Sequence, residues 1–296
     1  MAKRSAKGMS ISDFTQKFST EIKCREYLVN TRWKDGFVCP KCGSKRHCKL
    51  SNGLFQCIEC HHQTSATAGT FMHRSHVSLV KWFLALYFIT QDKRGISATQ
   101  LAFAIGVNYK TAWFMLKRIR SAMGQRDAKY TLSGVVEFDD AYIGGQTVGK
   151  KRGRGTEKAK VFVALSLNEN GNPRFLKMGV TENLRQKSVR DFANRAIKPG
   201  STVLGDECRS YIPALTNYDH QHSTYDSSSG MLKWLHVMIG NVKDFILGTY
   251  HRLPKKLLQS CLDEFCYRFS RRYFGSELFD RLLIAVVDQP LAESNG

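Results

Sequence analysis

The stretch GVVEFDDAYIGG (134–145) decides the fold. Upstream of Leu132 the apolar residues recur at helical intervals; from there they alternate as in a strand. The segment begins apolar, ends on an acidic pair followed by Tyr142 and Ile143, and is closed by two glycines. Because side chains alternate across a strand, Glu137 and Asp139 share a face that Asp140 does not. Asp139 is therefore the favoured candidate for chemistry, and Glu137 a supporting group for the site or a partner for nearby backbone. The blander reading, an ordinary acidic strand end, stays open at this point.

Working outward, VFVALSL (161–167) and FLKMGV (175–180) read as two further strands joined through Asn168, Asn170 and Gly171. KSVRDFANRAI (187–197) reads as a helix stopped by Pro199-Gly200, and STVLGDECRSY (201–211) as a fourth strand ending at Asp206. Three strands, a helix and a fourth strand predict an α/β, ribonuclease H-like mixed sheet with its first and fourth strands side by side. Asp139 and Asp206 would then meet at one sheet edge. Hard divalent cations take oxygen ligands, and two carboxylates at a phosphodiester are the donor set for magnesium or manganese. MLKWLHVMIGNVKDFILGTYH (231–251) predicts a helix on which His236 and Lys243, seven residues apart, share a face. His236 is the candidate third metal ligand, with Asn241 as runner-up, and Lys243 a candidate phosphate contact.

The basic segment GGQTVGKKRGRGTEKAK (144–160) predicts a clamp on nucleic-acid phosphates through Lys150, Lys151, Arg152 and Arg154, or else a solvated hairpin. It lacks the GxxxxGK[ST] order of a nucleotide-binding loop. Farther on, Leu257, Leu258, Leu262, Phe265 and Phe269 predict a helix face against the sheet. Arg268, Arg271 and Arg272 are left as phosphate neighbours or charged rim.

Ahead of the sheet, Cys39/Cys42 and Cys57/Cys60 form two CxxC pairs with fourteen residues between them. That spacing lets four thiolates converge on one zinc ion, so 33–65 reads as a zinc ribbon. Cys48, His61 and His62 are possible substitutes for one ligand. Residues 11–31 predict one helix and 78–89 another. In KRGISATQLAFAIGVNYKTAWFMLKRIRSAM, Ser97 caps a helix, Gly106 ends it and Asn108 starts the next. This is the punctuation of a helix-turn-helix, expected over 76–124. Asn108, Tyr109, Lys110 and Thr111 would face a groove, Lys117, Arg118 and Arg120 would reach phosphates, and Trp113 reads as core.

The expected organisation is an N-terminal helical segment (1–32), the ribbon (33–65), the helix-turn-helix region (76–124), the catalytic domain (130–287) and a tail (288–296). A formal charge of +20, from 45 Lys and Arg against 25 Asp and Glu over 296 residues, favours a polyanionic partner. No apolar run reaches a spanning length and the N-terminus has no secretory pattern, so a cytoplasmic, nucleoid-associated protein is expected. The nine cysteines do not suggest a disulfide framework.

Taken together, the strings CPKCGS, CIECHHQTSATAGTFMH, ISATQLAFAIGVNYKTAWFMLKRIR, VVEFDDAYIGG, LGDECRSY and GNVKDFILGTYHRLPKKLLQSCLDEFCYRFSRR resemble bacterial insertion-sequence transposases of the DDE type, with an ISXO-like domain behind a zinc ribbon. The resemblance covers about residues 13–287. It implies that Asp139 and Asp206 are the first two catalytic carboxylates, that Lys243 is the basic residue following the third position by seven, and that His236 occupies that third position. Glutamate is commoner there in DDE enzymes. The implied activity is hydrolysis at transposon ends and joining of the released 3′-hydroxyls to target DNA. It would use Mg2+ or Mn2+ for catalysis, Zn2+ in the ribbon, double-stranded terminal-repeat and target DNA as partners, and a dimer or larger synaptic complex. A structure-selective nuclease or resolvase, and a DNA-binding regulator with an inert core, are the alternatives.

Overall fold

The structure, a computed structural model, describes residues 8–144, 158–223, 230–250 and 253–288. The chain divides into two compact units, one formed by 1–123 with 273–296 and the other by 124–272.

In the first unit, α1 (Ile11–Lys17) opens with a capping box in which Ser10 and Asp13 satisfy each other's backbone amides. A second helix, α2 (Glu21–Arg32), has Thr20 as its N-cap. The single helix expected over 11–31 is thus two helices. Thr20 is extended and its hydroxyl accepts from the Lys23 amide, local capping that competes with helix continuation. The ribbon is a three-stranded antiparallel sheet of β1 (His47–Lys49), β2 (Phe55–Cys57) and β3 (Gln63–Thr64). Its β1–β2 turn uses Gly53 at φ 80°, a left-handed conformation that glycine adopts without steric cost.

The helices α3 (Leu79–Gln91), α4 (Ala98–Ile105) and α5 (Tyr109–Ala128) follow. The Glu21 carboxylate accepts from the amides of Leu79 and Val80, holding the N-terminus of α3 against α2. Ser97 and Gln100 form the capping box of α4, and Gly106 ends it at φ 63°. The amides of Gly106 and Val107 fold back onto the carbonyls of Phe103 and Ala102, a glycine-terminated turn. The last helix among the described residues, α9 (Leu278–Asp288), joins this unit, whereas the sequence reading places it in the catalytic span. Phe279 explains why: its ring packs edge-on against Phe14 and at a tilt against Phe18 and Phe83, and the Tyr27 hydroxyl donates to Asp280 at 2.7 Å. Each of those buried rings contributes roughly 1.5–3 kcal/mol.

The second unit is one sheet with helices on both faces. Its strands are β4 (Val135–Ile143), β5 (Ala159–Leu167), β6 (Pro173–Thr181), β7 (Thr202–Asp206) and β8 (Asp219–Ser223), in spatial order β6-β5-β4-β7-β8. The first three form an antiparallel meander, β7 runs parallel to β4, and β8 parallel to β7. The first and fourth strands of the predicted set are therefore neighbours, giving the mixed sheet of a ribonuclease H-like core. The fifth strand, Asp219–Ser223, was not anticipated.

The even-numbered residues Val136 and Phe138 pack with Phe162 and with Val189 and Phe192 of α6 (Gln186–Ala196). The odd-numbered Ala141 and Ile143 face the other layer, α7 (Lys233–Tyr250) and α8 (Lys255–Ser270), through Leu235, Val242, Leu258 and Leu262. Helix α8 also covers the outer edge of the meander. Gln259 accepts from the Val180 amide at 2.8 Å and donates to the Met178 carbonyl at 3.1 Å, satisfying backbone that an open edge strand exposes.

Candidate active site and metal-binding ribbon

The chemistry of the second unit is set by strand register. In the β4–β7 ladder Glu137 lies opposite Leu204 and Phe138 opposite Gly205, so the next step sets Asp139 beside Asp206. Parity agrees, because Glu137, Asp139 and Asp206 belong to the same sheet face as Leu204, which packs against the α7 and α8 layer. Two separated carboxylates are thereby delivered to one place by backbone hydrogen bonding alone.

Electrostatics records the proximity. The Asp139 carboxyl is pushed up to about 7 by burial first, with the charges of Asp140 and Asp206 adding to it. The Asp140 amide, donating to Asp139 Oδ1 at 2.7 Å, opposes that shift. Asp206 Oδ1 accepts from the Glu207 amide at 2.8 Å. Asp140 faces the opposite layer, where Oδ1 accepts the Tyr211 hydroxyl at 2.6 Å. Burial and the two aspartates raise the Tyr211 pKa, so it remains a donor at any physiological pH. The alternation inferred from sequence puts the two consecutive aspartates on opposite faces of β4, and the Tyr211 hydroxyl, donating to Asp140, also helps to hold the Asp139 pKa down.

Glu137 has a different task. It is buried, and its Oε2 accepts from the Leu235 amide at 2.8 Å, in the first turn of α7. Helix N-termini carry unsatisfied amides and a partial positive charge, which a carboxylate stabilises. Burial raises the Glu137 pKa, and the Leu235 hydrogen bond opposes the rise. Glu137 fixes the start of α7 to the strand that carries Asp139. His236 is the next residue on that helix. Burial, and secondarily Lys243, push its pKa below the usual histidine value, so the ring is neutral at pH 7 and able to bind a cation or accept a hydrogen bond. Lys243 is exposed two turns on.

The donor set of two adjacent carboxylates fits a hard divalent cation. Among the described residues, however, only the four ribbon cysteines bring three or more ligand atoms within 4.8 Å of one another. Asp139, Asp206 and His236 therefore do not all lie within that distance of one another. A cleft of about 700 Å3 opens beside Asp206, lined also by Tyr142, Lys160, Leu184 and Glu207–Ser210.

In the ribbon, the sulfurs of Cys39 and Cys60, and of Cys42 and Cys57, are each 3.6 Å apart. Tetrahedral thiolates at a zinc–sulfur distance of about 2.3 Å stand roughly 3.8 Å from each other, so the four sulfurs fit that ion. The backbone amides of Cys42 and Lys41 point at the Cys39 sulfur; desolvation raises that thiol, but they and the facing thiols bring it down to about 6. The ribbon's own apolar cluster is small, with Phe37, Phe55, Cys39 and Cys57 at its centre. A bound zinc would supply folding energy that such a core lacks. Cys48 is exposed, and the fourfold set does not include it or the two histidines.

The helix-turn-helix residues sort into spent and available groups. Asn108 caps α5, its Oδ1 accepting from the Thr111 amide at 2.8 Å. Arg118 donates to the carbonyls of Phe71 and His73 at 3.0 and 2.6 Å and stacks on Phe114, so it clamps its own unit rather than standing ready for a phosphate. Arg120 is buried. Tyr109, Lys110 and Lys117 are exposed, and so is Trp113, which the sequence reading had assigned to the core. On α5 the buried stripe runs through Ala112, Met115, Leu116, Ile119 and Met123, and Trp113 falls outside it. In the second unit Arg268 pairs with Glu264, Arg271 with Asp127 at 2.6 Å, and Arg272 with carbonyls of Pro173 and Arg174, leaving none of them as a phosphate rim. Lys150, Lys151, Arg152 and Arg154 lie outside the described residues. None of the described helices is long and apolar enough to cross a membrane.

Comparison with known proteins agrees with this geometry. Residues 131–270 match the ISXO2-like transposase domain and residues 19–63 the transposase zinc-ribbon domain. The chain is 29% identical over 216 residues to an uncharacterized protein in transposable element ISH50 of Halobacterium salinarum, spanning 66% of this chain and 70% of that one. Among solved structures it is similar to the Mos1 strand transfer complex (14% identity, TM-score 0.30, 70% of this chain and 77% of that one). It is also similar to the simian T-cell lymphotropic virus intasome (10%, 0.30, 62% of this chain and just under two thirds, 65%, of that one). Overlap that slight has no bearing on function. The two domain matches, in this order along the chain, place it in the ISXO2-like family of DDE transposases with an N-terminal zinc ribbon.

Proposed function

We propose that the protein is a transposase that binds the terminal inverted repeats of an insertion sequence, hydrolyses phosphodiester bonds at its ends and joins the 3′-hydroxyls to target DNA. The observation that carries this reading is the β4–β7 register, which aligns Asp139 with Asp206 on the sheet face that α7 covers.

Asp139 and Asp206 would hold the catalytic divalent cations, Mg2+ or Mn2+, with His236 as the third ligand. When bound, such ions polarise the scissile phosphate and make the attacking water or hydroxyl more acidic. The protein's own share is positioning. Glu137 anchors the first turn of α7 to the strand that carries Asp139, adding a buried hydrogen bond to the apolar packing that positions His236. Tyr211 donates to Asp140 and also acts on Asp139, tying the acidic pair to the α6 side of the sheet. Lys243, exposed on α7, is suited to a non-bridging phosphate oxygen. Hydrolysis and strand transfer then differ only in whether water or a DNA 3′-hydroxyl occupies the attacking position.

The ribbon, with zinc on Cys39, Cys42, Cys57 and Cys60, and the helix-turn-helix, through Tyr109, Lys110 and Lys117, would bind the terminal repeats. Asn108 and Thr111 would shape the turn rather than read bases. Two ends must be joined in one reaction, so we expect a homodimer or larger synaptic complex on double-stranded DNA, working in the cytoplasm at the nucleoid. The test is to incubate the protein with labelled terminal-repeat duplex, target plasmid and magnesium. Joined product supports transposition; cleavage with no joined product at any metal or target concentration contradicts it.

A further inference from the structure

The outward face of α5 is aromatic. Tyr109 is 56% exposed, Trp113 36% and Phe114 39%. Such a run within six residues is unusual on a soluble surface and marks a contact face. The polar groups around it are largely committed. Asn108 is occupied by the Thr111 amide, Arg118 by the carbonyls of Phe71 and His73, and Arg120 is buried. What remains at the surface beside the rings is two lysines, Lys110 and Lys117, and Lys117 Nζ lies 5.6 Å from the Trp113 ring centroid. The exposed face therefore offers apolar surface and positive charge, but no described arginine or asparagine free for bidentate contact with a purine.

We propose that this helix reads its DNA by apolar contact with thymine methyl groups in the major groove, with Trp113 and Tyr109 as the specificity-determining residues and Lys110 and Lys117 holding the flanking phosphates. This rests on the DNA-binding reading above and names the feature of the duplex that is recognised. The chemistry follows from what the groove displays: only thymine presents a methyl there, and apolar side chains distinguish it without hydrogen bonds. The flanking lysines and the +20 charge of the chain select a polyanion over an apolar protein partner for this face. The turn that presents it is rigid, since Gly106 is held in the left-handed conformation and its carbonyl accepts from Lys81 Nζ at 2.7 Å.

The experiment uses the full-length protein and duplexes it selects from a randomised pool, each prepared with thymine and with deoxyuridine at successive positions. Binding is read by fluorescence anisotropy. Deoxyuridine at a contacted position should weaken wild-type binding about fourfold, the value of one buried methyl. Trp113→Ala should weaken the thymine duplex by at least that factor and bind both duplexes alike. Lys117→Ala should weaken both equally and reduce the salt dependence by about one phosphate. An unchanged circular-dichroism melt for Trp113→Ala would show that the loss is one of contact. Equal wild-type affinity for thymine and deoxyuridine at every position overturns the proposal, as does discrimination that survives Trp113→Ala with Tyr109→Ala. Failure to select any duplex would instead overturn the DNA-binding reading itself. If Trp113→Ala dissociates an oligomer in sedimentation while thymine discrimination stays intact, the face is an interface between copies and the proposal falls.

Discussion

Asp139→Asn should make the metal-free protein more stable at alkaline pH while destroying its chemistry. The folded Asp139 carboxyl titrates at about 7, raised by burial and then by its acidic neighbours, whereas an unfolded aspartate titrates near 3.9. Between those values the folded chain holds a proton that the unfolded chain has released. The stability tied to this group is therefore fully present below about pH 4 and is lost as pH rises through about 7. About three pK units correspond to roughly 4 kcal/mol. Partial solvent access to the carboxylate brings the expected effect to on the order of 2 kcal/mol. Asparagine carries no charge, so the variant should lack this fall. The assay is urea unfolding from pH 4.5 to 8.5 in magnesium-free buffer without chelator, since a chelator would strip the ribbon. Wild type and variant should be closest at the acid end, diverge progressively from about pH 4.5, and reach a constant gap above about pH 7, with the variant more stable. Millimolar magnesium should narrow the gap by restoring the wild type. Parallel profiles, or a wild type that remains the more stable at pH 8, would refute the reasoning.

Three other outcomes follow from specific contacts. Glu137→Ala leaves the Leu235 amide at the head of α7 without its buried acceptor, at a cost of about 1–3 kcal/mol, whereas Glu137→Gln keeps an oxygen there and should lose less stability and less cleavage activity. Cys39→Ser should release one zinc per chain by mass spectrometry and abolish duplex binding, while amide exchange in β4 and β5 stays slow. Asp263, pushed up to about 6 by burial and, despite its Gln259 hydrogen bond, also by Asp127, loses stability as pH rises through that value. Asp263→Asn should therefore flatten the profile between about pH 4 and 6 without changing strand cleavage.

The elements legible in the sequence were those whose chemistry is local. Two CxxC pairs announce a ribbon because metal ligation demands that spacing, and Ser97, Gln100 and Gly106 mark helix ends because capping and left-handed turns require those residues. The alternation in 134–143 separated Asp139 from Asp140 before any contact was visible, and the order of strands then implied the β4–β7 pairing. What escaped depends on distant partners. The strand Asp219–Ser223, DHQHS, carries no apolar alternation because it closes the sheet edge through backbone bonds to β7. Arg118 looked like a phosphate ligand because its carbonyl partners lie more than forty residues earlier. Trp113 looked like core because aromatic rings usually are, and only the position of the buried stripe on α5 turns it outward. Helix α9 joined the N-terminal unit through Phe279, a contact with no local signature.

The central claim is that Asp139 and Asp206 together hold the divalent cation at the reacting phosphate. Replacing each in turn by cysteine and comparing strand cleavage in magnesium with cleavage in manganese addresses it directly, since a thiolate rejects the harder ion and accepts the softer. The account predicts that Asp139→Cys and Asp206→Cys are inactive in magnesium and recover activity in manganese, with wild type active in both. Equal residual activity of the variants in the two metals, or wild-type cleavage with no divalent cation present, would contradict it.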